Sequence, residues 1–339
     1  MSAVICYNDI AEIPMASWTR LVASIPSPFY KYDFLSAYQT SRLGGNQSSV
    51  YLTLNSTSRT ADLTAALPAY LVKGTEIASI FGIGMLETPG VNALISHFPH
   101  CYDSVLPVSG LTVSEALPQL WEGLRYEAET RGARAFGLIN VEQDSDLHRV
   151  TSSRPGVVSV NSAARWRLST IQVPTLTDYY RTLSGSTRKT LLSYQRRAER
   201  DGATTLVSQY GSGSDDVEDV IELCVGTARK HSSSYYAADP LRRLLSSLRE
   251  YFVIRILLDD VTLAASICFL VDGVLHTWAG GTARAMQRNW SPNYVLFHQE
   301  LKFGYERGVR QMEFGRRSDD FKQRHRLERA NLVACLDIT

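Results

Sequence analysis

Residues 261–322 read VTLAASICFLVDGVLHTWAGGTARAMQRNWSPNYVLFHQELKFGYERGVRQMEFGRRSDDFK, and they contain the clearest turn and helix signals of the chain. Asp272-Gly273 separates two apolar runs, which is a strong signal for a two-residue hairpin turn. Ser291 and Pro292 then suit the N-cap and the first turn of a helix, which carries an apolar stripe at helical spacing. The stretch therefore predicts an antiparallel hairpin, a helix and a further strand.

The first half of the chain repeats this plan. Leu117–Val141 predicts a helix, an Arg-Gly stop and a strand, as Ser291–Gly315 does. Leu63–Gly82 predicts a hairpin with its turn at Lys73-Gly74, as Leu263–Gly281 does in the second half. The same order of elements in both halves indicates a duplication, with extra chain in the first half around the end of its hairpin.

The boundary between the halves is expected in the polar stretch Thr151–Asn161, where Pro and Gly interrupt the periodicity. We therefore predict an α+β fold with an N-terminal domain over residues 1–155 and a C-terminal domain over residues 156–339. The remaining predictions are strands over Arg165–Val173 and Phe252–Leu258, and helices over Leu176–Arg200, Val217–Lys230 and Pro240–Tyr251.

Residues 261–322 resemble the GNAT acyltransferase superfamily. The resemblance is carried by the hairpin with Asp272-Gly273, by Trp278-Ala279-Gly280-Gly281-Thr282, Ser291-Pro292 and Glu306-Arg307-Gly308, and by Phe314-Gly315 with Phe321-Lys322. The chain is most similar to the tandem-domain branch that includes the Fem-like aminoacyl-tRNA-dependent peptidyltransferases. The resemblance implies two tandem GNAT-like domains, each a mixed, largely antiparallel sheet flanked by helices, with the active site in the C-terminal domain.

The loop that follows the second hairpin departs from one pattern of this superfamily. Members that use acetyl-CoA bind its pyrophosphate with a glycine-rich loop, because phosphate oxygens must approach backbone N–H groups closely. Here the loop from Thr282 to Pro292 contains no glycine, and Pro292 lacks an N–H donor. The departure favours a donor other than CoA, which in the resembled branch is aminoacyl-tRNA. An acyl-CoA-dependent N-acyltransferase with a degenerate pyrophosphate loop is the alternative.

The resemblance implies an enzyme, an acyltransferase that moves an amino acid from aminoacyl-tRNA to the amine of a small acceptor. That acceptor is an amino acid, a peptide or a natural-product intermediate, as in antibiotic or cell-wall biosynthesis. The sequence contains no recognisable Ser-His-Asp or Cys-His arrangement. We therefore expect the acceptor amine to attack the donor ester directly, without an acyl-enzyme intermediate. A non-catalytic binding protein for tRNA or a peptidoglycan precursor is the competing class.

Candidate site residues lie after the last predicted strand, on the second strand of the Asp272-Gly273 hairpin and between two predicted helices. Lys322, by resemblance, is expected to stabilise the oxyanion or the terminal ribose of the tRNA, while His276 and Asp319 are alternative proton acceptors. The residues proposed to bind substrate are Arg316, Arg317, Tyr235, Tyr236 and Trp278. Ordinary packing of the aromatic rings and of His276, and salt bridges of the arginines to nearby acids, are the structural alternatives.

The predicted helix over residues 186–200 carries clustered basic residues. Arg188, Lys189, Arg196 and Arg197 are spaced to share a helix face, where they are candidates for binding tRNA phosphates. Lys+Arg and Asp+Glu number 35 and 34 in the whole chain, for a net charge of +1, so RNA binding is expected to be local. A solvated surface helix is the alternative interpretation.

Other features of the composition exclude several classes of protein. The five cysteines are widely spaced and outside any Cys/His cluster, so we expect neither a disulfide framework nor a metal site. A secretory signal and a run of about 18 apolar residues are not seen, which favours a cytoplasmic protein without a membrane span. We expect no cofactor besides the co-substrate, and the oligomeric state stays open, with a monomer compatible.

Overall fold

The computed structural model describes residues 4–45, 48–56, 62–213, 216–229, 235–283 and 289–338. Within it the chain forms two compact units. Of the described residues, the first unit comprises those within 4–25, 29–164 and 330–338, and the second comprises those within 26–28 and 165–329. The chain passes from one unit to the other in the middle of two strands, because residues 157–169 and 328–338 each form one continuous strand. The predicted domain boundary between residues 155 and 156 lies immediately before the first of these strands.

The elements of the first unit are, in chain order, β1 (Val4–Tyr7), α1 (Met15–Leu21), α2 (Tyr32–Ser41), β2 (Ser48–Asn55), β3 (Leu63–Lys73), α3 (Gly74–Phe81), β4 (Asn92–Ser96), α4 (Val113–Thr130), β5 (Ala135–Glu142) and α5 (Asp146–Ser152). Strand β6 (Val157–Ser169) then carries the chain into the second unit. Short 3₁₀ turns occur at Ile10–Glu12, Pro28–Tyr30, Leu43–Gly45 and Gly84–Leu86.

The elements of the second unit are α6 (Leu176–Thr182), α7 (Gly185–Arg200), β7 (Thr204–Tyr210), α8 (Glu218–Ala228), α9 (Ala238–Ser247), β8 (Tyr251–Leu258), β9 (Val261–Val271), β10 (Val274–Thr282), α10 (Pro292–Glu306), β11 (Gln311–Arg316) and α11 (Asp319–Arg324). Strand β12 (Glu328–Ile338) returns the chain to the first unit.

Each unit is built on a sheet with the same order of strands. In the first unit β1, β2, β3 and β4 are antiparallel neighbours, β5 lies parallel to β4, and β12 pairs antiparallel with β5. In the second unit β7, β8, β9 and β10 are antiparallel neighbours, β11 lies parallel to β10, and the end of β6 pairs antiparallel with β11. A helix, α4 or α10, makes the parallel crossover, as a parallel pair requires. The predicted mixed, largely antiparallel sheets are confirmed.

The second-half hairpin is confirmed, whereas its first-half counterpart is wrong. Asp272 and Gly273 adopt φ of 47° and 74°, the left-handed pair that a tight two-residue hairpin turn uses. In the first half, Gly74 begins α3 instead of a turn to the next strand. The Gly74 N–H donates to the Val91 carbonyl at 2.7 Å, and a Cβ there would lie 2.9 Å from the Leu86 carbonyl. The extra chain between β3 and β4 therefore includes helix α3, whose first residue, Gly74, packs closely against the backbone of Leu86 and Val91.

The predicted helix over residues 176–200 is two helices. The chain breaks at Leu183, and the Ser184 side chain accepts from the Thr187 N–H to begin α7. The strand predicted over Arg165–Val173 begins earlier and ends earlier, as β6. Strand β7 was not predicted, because its residues are largely exposed and lack a clear apolar alternation.

Helix α8 is held against β10 by a close approach of backbones. A Cβ on Gly281 would lie 2.0 Å from the carbonyl oxygen of Leu223, which belongs to α8. On the same helix, Gly226 faces open space, since a Cβ there would meet nothing within 4 Å. Only glycine at position 281 therefore permits the observed contact between strand and helix.

We expect Gly281→Ala to lower the free energy of unfolding by about 1–3 kcal/mol, because the added methyl must push α8 away from the sheet. Gly226→Ala is the matched control and should raise stability by up to about 1 kcal/mol through helix propensity. Urea unfolding followed by circular dichroism measures both. Equal stability of Gly281→Ala and the wild type would contradict the close packing.

Candidate functional site

Strands β10 and β11 pair for only part of their length. The parallel register runs from Val274↔Gln311 to His276↔Glu313, and the described residues show no pairing beyond it. Both strands nevertheless continue, β10 to Thr282 and β11 to Arg316. A bulge in each strand, between Thr277 and Ala279 and between Glu313 and Arg316, marks the point of separation. We call the space between residues 278–282 and 314–316 the strand gap.

Lys322 binds the backbone that loses its strand partner at this gap. Its Nζ donates to the carbonyl oxygens of Phe314, Gly315 and Arg316 at 2.6, 3.1 and 2.9 Å. An ammonium has three N–H donors, so all three are used. The turn between β11 and α11 is tight, with φ of 63° at Gly315, 70° at Arg317 and 58° at Ser318. Lys322 therefore fixes the end of β11 next to this turn. Arg317 and Ser318 have a positive φ there, which non-glycine residues rarely adopt.

Burial and neighbouring charges act on Lys322 in opposite directions. Burial lowers the pKa of Lys322 to about 7, with Asp319 and Glu300 opposing the shift. The three carbonyl acceptors favour the charged ammonium, because a neutral amine could donate to only two of them. The geometry thus describes Lys322 as a charged residue that holds backbone.

Glu300 is a buried carboxyl that the sequence analysis did not single out. Its side chain lies on α10 among buried residues three and four positions away, namely Leu296, Phe297, Phe303 and Gly304. Burial raises the pKa of Glu300 to about 7, while the Ser266 hydroxyl and Lys322 act against that shift. A glutamate at the centre of an apolar helix face was the available sequence signal.

The opposite face of the sheet carries an aromatic wall. Trp278 contacts Phe269 and Tyr236 with ring centroids 5.6 Å apart in each case, and Tyr236 contacts Tyr235 at 4.7 Å. The guanidinium of Arg316 donates to the Tyr235 hydroxyl at 2.7 Å and lies 6.0 Å from its ring centroid. Burial raises the pKa of Tyr236 well above its ordinary value, so its phenol stays neutral. The wall therefore ends in one half-buried cation, Arg316.

The other predicted site residues have partners of their own. His276 is buried, and its Nε2 lies 2.9 Å from the Pro26 carbonyl oxygen, so that nitrogen donates. Asp319 accepts from Trp166 Nε1 at 2.9 Å and is exposed. Arg317 is exposed at the left-handed turn. The structure thus gathers Lys322, Arg316 and the aromatic wall around the strand gap, with Asp319 at its rim.

Helix α7 presents a basic surface away from its packed side. At about 100° per residue, its basic residues cover about half of the circumference, opposite the buried side chains of Thr187, Leu191 and Ala198. The basic residues are Arg188, Lys189, Arg196, Arg197 and Arg200. Four of them are exposed, and Arg197, the half-buried one, donates to the Asn289 carbonyl at 2.6 Å. A groove of about 650 Å³ is lined by Ser193, Arg196, Arg197, Glu199 and Arg200.

The basic residues of α7 lack the carboxylate partners found elsewhere on the surface. Other exposed helices pair theirs, as Arg125 with Glu122, Arg149 with Asp146, and Arg242 with Glu218 and Asp239. Across the described ranges, no carboxylate oxygen lies within 4 Å of a charged nitrogen of the five α7 residues. This surface therefore has uncompensated positive charge.

Several further chemistries find no support in the described residues. Burial raises the pKa of all five cysteine thiols, to about 12 for Cys6 and Cys224, so none is a ready thiolate. No group of three or more His, Cys, Asp or Glu side chains in the described ranges is arranged to hold a metal ion. None of the helices seen there combines the length and apolar composition needed to cross a bilayer. Residues 284–288, in the loop without glycine, and residues 230–234, before Tyr235, lie outside the description.

A protein-family model and several solved structures match this chain. Residues 185–323 match the family model of the acetyltransferase (GNAT) domain, so the match contains the strand gap, α7 and Lys322. The crystal structure of FemX is similar over 96% of this chain and 96% of its own, with a TM-score of 0.64 and 11% sequence identity. The chain has the Fem-like fold of the GNAT superfamily.

Two further structures share this GNAT fold over nearly their whole length. A tandem GNAT protein from the clavulanic acid biosynthesis pathway, solved without AcCoA, has a TM-score of 0.58 at 12% identity and covers 98% of both chains. L-PGS from Bacillus licheniformis has a TM-score of 0.56 at 11% identity, over 95% of this chain and 91% of its own. No curated protein matches the sequence. The predicted fold class, two tandem GNAT-like domains, is confirmed.

We expect Lys322→Met to lower the free energy of unfolding by about 2–4 kcal/mol, because three backbone carbonyls lose their donor. Lys302→Met is the matched control on α10, where an exposed lysine lies 3.8 Å from Glu306, and it should change stability by less than about 0.5 kcal/mol. Chemical unfolding measures both. Wild-type stability of Lys322→Met would show that the three hydrogen bonds do not hold the turn.

Proposed function

We propose that this protein is an acyltransferase that moves an aminoacyl group from aminoacyl-tRNA to the amine of a small acceptor. The acceptor is an amino acid, a peptide or a natural-product intermediate, and the product contains a new peptide bond. The neutral acceptor nitrogen attacks the ester carbonyl carbon, a C–N bond forms and the C–O bond to the tRNA ribose breaks. The amine loses a proton, and the ribose oxygen takes one up.

The uncompensated basic surface of α7 is the observation that carries this proposal. Arg188, Lys189, Arg196 and Arg197 are assigned to the phosphates of the tRNA acceptor end, because a cluster of cations without carboxylate partners favours a polyanion. The Arg197 contact with Asn289 places this surface beside the segment that enters α10. The phosphates would therefore lie near the helix that packs under the strand gap.

The strand gap supplies the place for the acyl group. Lys322 holds its backbone open, and Arg316 with Tyr235, Tyr236 and Trp278 forms a wall suited to an acceptor that carries a negative group. With every thiol buried or raised in pKa, direct attack by the acceptor amine is the simplest mechanism. In this geometry Lys322 is a positioning residue, and Asp319 at the rim is assigned to receive the proton.

A second candidate is an acyl-CoA-dependent N-acyltransferase. The matched family model describes an acetyltransferase domain, and one structural relative is described by reference to AcCoA. The same basic groove would then bind the phosphates of CoA. The two candidates share the strand gap and the acceptor wall and differ in the carrier of the acyl group.

The donor can be identified by testing the two carriers in parallel. Purified protein is incubated with bulk tRNA charged with radiolabelled amino acids, or with labelled acetyl-CoA, and with a panel of amines. We expect labelled product from charged tRNA and its loss after treatment of the donor with ribonuclease. Turnover with acetyl-CoA and none with charged tRNA would establish the second candidate instead.

The basic surface of α7 should control the affinity for tRNA. We expect Lys189→Ala with Arg196→Ala to raise KM for charged tRNA and to reduce the slope of log K against log salt by about 1–2. Reversal of Arg188, Lys189, Arg196 and Arg197 to Glu should abolish tRNA-dependent turnover. The matched control is Arg125→Ala with Arg149→Ala, which removes two exposed charges from the first unit. Equal salt slopes for the two double variants would place the RNA elsewhere.

A further inference from the structure

The Glu300 carboxyl lies beneath the strand gap, on the side covered by α10. Phe303 of α10 packs on Phe252 of β8 with ring centroids 5.4 Å apart, which identifies the sheet face that α10 covers. Cys268 is the β9 partner of Phe252, and Ser266 lies two residues further along the same face. Helix α10 packs against β9 on this face, and the Ser266 hydroxyl lowers the pKa of Glu300, so the Glu300 carboxyl lies near Ser266.

The neighbour of Ser266 on β10 lies in the part of that strand that does not pair with β11. Gly280 is the register partner of Ser266, and it lies beyond the last residue of β10 that pairs with β11. Gly280 is exposed, and a Cβ there would lie 3.5 Å from the Ser266 Cβ. The gap therefore reaches solvent at Gly280, the register partner of Ser266. On the other side of the gap, Lys322 is close enough to favour ionisation of Glu300.

The partners of Glu300 do not satisfy a carboxylate. Lys322 uses its three N–H groups on backbone carbonyls, and no ion pair within 4 Å joins it to Glu300 among the described residues. The Ser266 hydroxyl has a single proton to donate, and its oxygen also lies 3.5 Å from the Cys268 sulfur, whereas an ionised carboxylate has about four acceptor positions. Only 8% of the residue is exposed, so water replaces these partners poorly. A buried carboxyl at the floor of an open slot is thus short of hydrogen-bond donors and of positive charge.

We propose that Glu300, oriented by Ser266, binds the ammonium group of the aminoacyl donor at the floor of the strand gap. This assignment rests on the proposed function, since it places the acyl group in the gap. An ammonium supplies both the missing donors and the missing charge. An acyl group without an amine leaves the carboxylate unpaired, so Glu300 selects aminoacyl donors over neutral acyl donors.

The binding of the donor ammonium also suits the chemistry. A protonated α-amine is not a nucleophile, so the donor cannot attack a second ester in place of the acceptor. Its positive charge draws electrons from the adjacent ester carbonyl and makes that carbon more electrophilic. Glu300 contacts the donor but forms no covalent bond with it, which makes it a specificity-determining residue.

The experiment compares two donors that differ only in this charge. The same tRNA is charged with one amino acid and half of it is N-acetylated, and kcat/KM is measured for both forms. In the wild type we expect a strong preference for the free amine. Glu300→Gln keeps the size of the side chain and removes its charge, and it should reduce that preference by at least about thirtyfold. Because the ratio is measured within one variant, a smaller folded fraction cancels.

The control is Glu306→Gln, the same substitution on an exposed residue of α10, which should retain the wild-type ratio. Ser266→Ala is a second variant, expected to reduce the preference by a smaller factor if Glu300→Gln proves insoluble. An unchanged ratio in both Glu300→Gln and Ser266→Ala overturns the assignment while the tRNA-dependent activity stands.

The carrier can be changed to separate this inference from the proposed function. If charged tRNA is inert, glycyl-CoA and propionyl-CoA form a pair of equal size that differs in the amine. A preference for glycyl-CoA that Glu300→Gln removes supports the ammonium site although the proposed donor is wrong. Equal use of the two CoA esters by the wild type, or no turnover with either carrier, overturns the inference.

Discussion

The separation of two parallel strands creates a need for hydrogen bonds that the rest of the site is arranged to meet. Past His276 and Glu313 the backbone of β11 has no partner on β10, and a buried carbonyl without a donor is costly. The ammonium of Lys322 takes the place of the missing strand by binding three successive carbonyls. The sheet can therefore open at one end without losing its order, and the proposed function places the acyl group at this open end.

The two faces of the opened sheet differ in charge, and this difference matches the charges of the proposed substrates. On the side of α10 lies a carboxyl, Glu300, surrounded by apolar residues. On the other side lies a guanidinium, Arg316, at the end of an aromatic wall. A substrate with an amine at one end and an acid at the other would meet complementary charge across the sheet. The basic surface of α7 is a third region, which the proposed function assigns to the carrier rather than to the reacting groups.

The sequence predicted the elements that depend on local signals and missed those that depend on distant contacts. Asp272-Gly273 and Ser291-Pro292 define a turn and a helix start within a few residues, so β9, β10 and α10 were predicted correctly. Lys73-Gly74 is also a local signal, but the close packing of Gly74 against residues 86 and 91 overrides it. Lys322 was selected by resemblance and Arg316 for the match of a guanidinium to oxyanions. The three carbonyls that Lys322 binds and the phenol that Arg316 binds could not be predicted from spacing. Glu300 was visible only as a charged residue among apolar neighbours, which becomes informative once α10 is known to be buried on that side.

The chain crosses between units inside β6 and β12, and this has a consequence for synthesis on the ribosome. Strand β5 pairs with β12 from Glu142↔Leu332 to Ala135↔Ile338, so the first unit includes residues made long after its other strands. At about 5–20 residues per second, β5 emerges roughly 10–40 s before the strand that covers it. During that interval its edge offers unpaired backbone groups to any other nascent chain. Vectorial folding of this protein therefore closes the first unit only after the second has been translated.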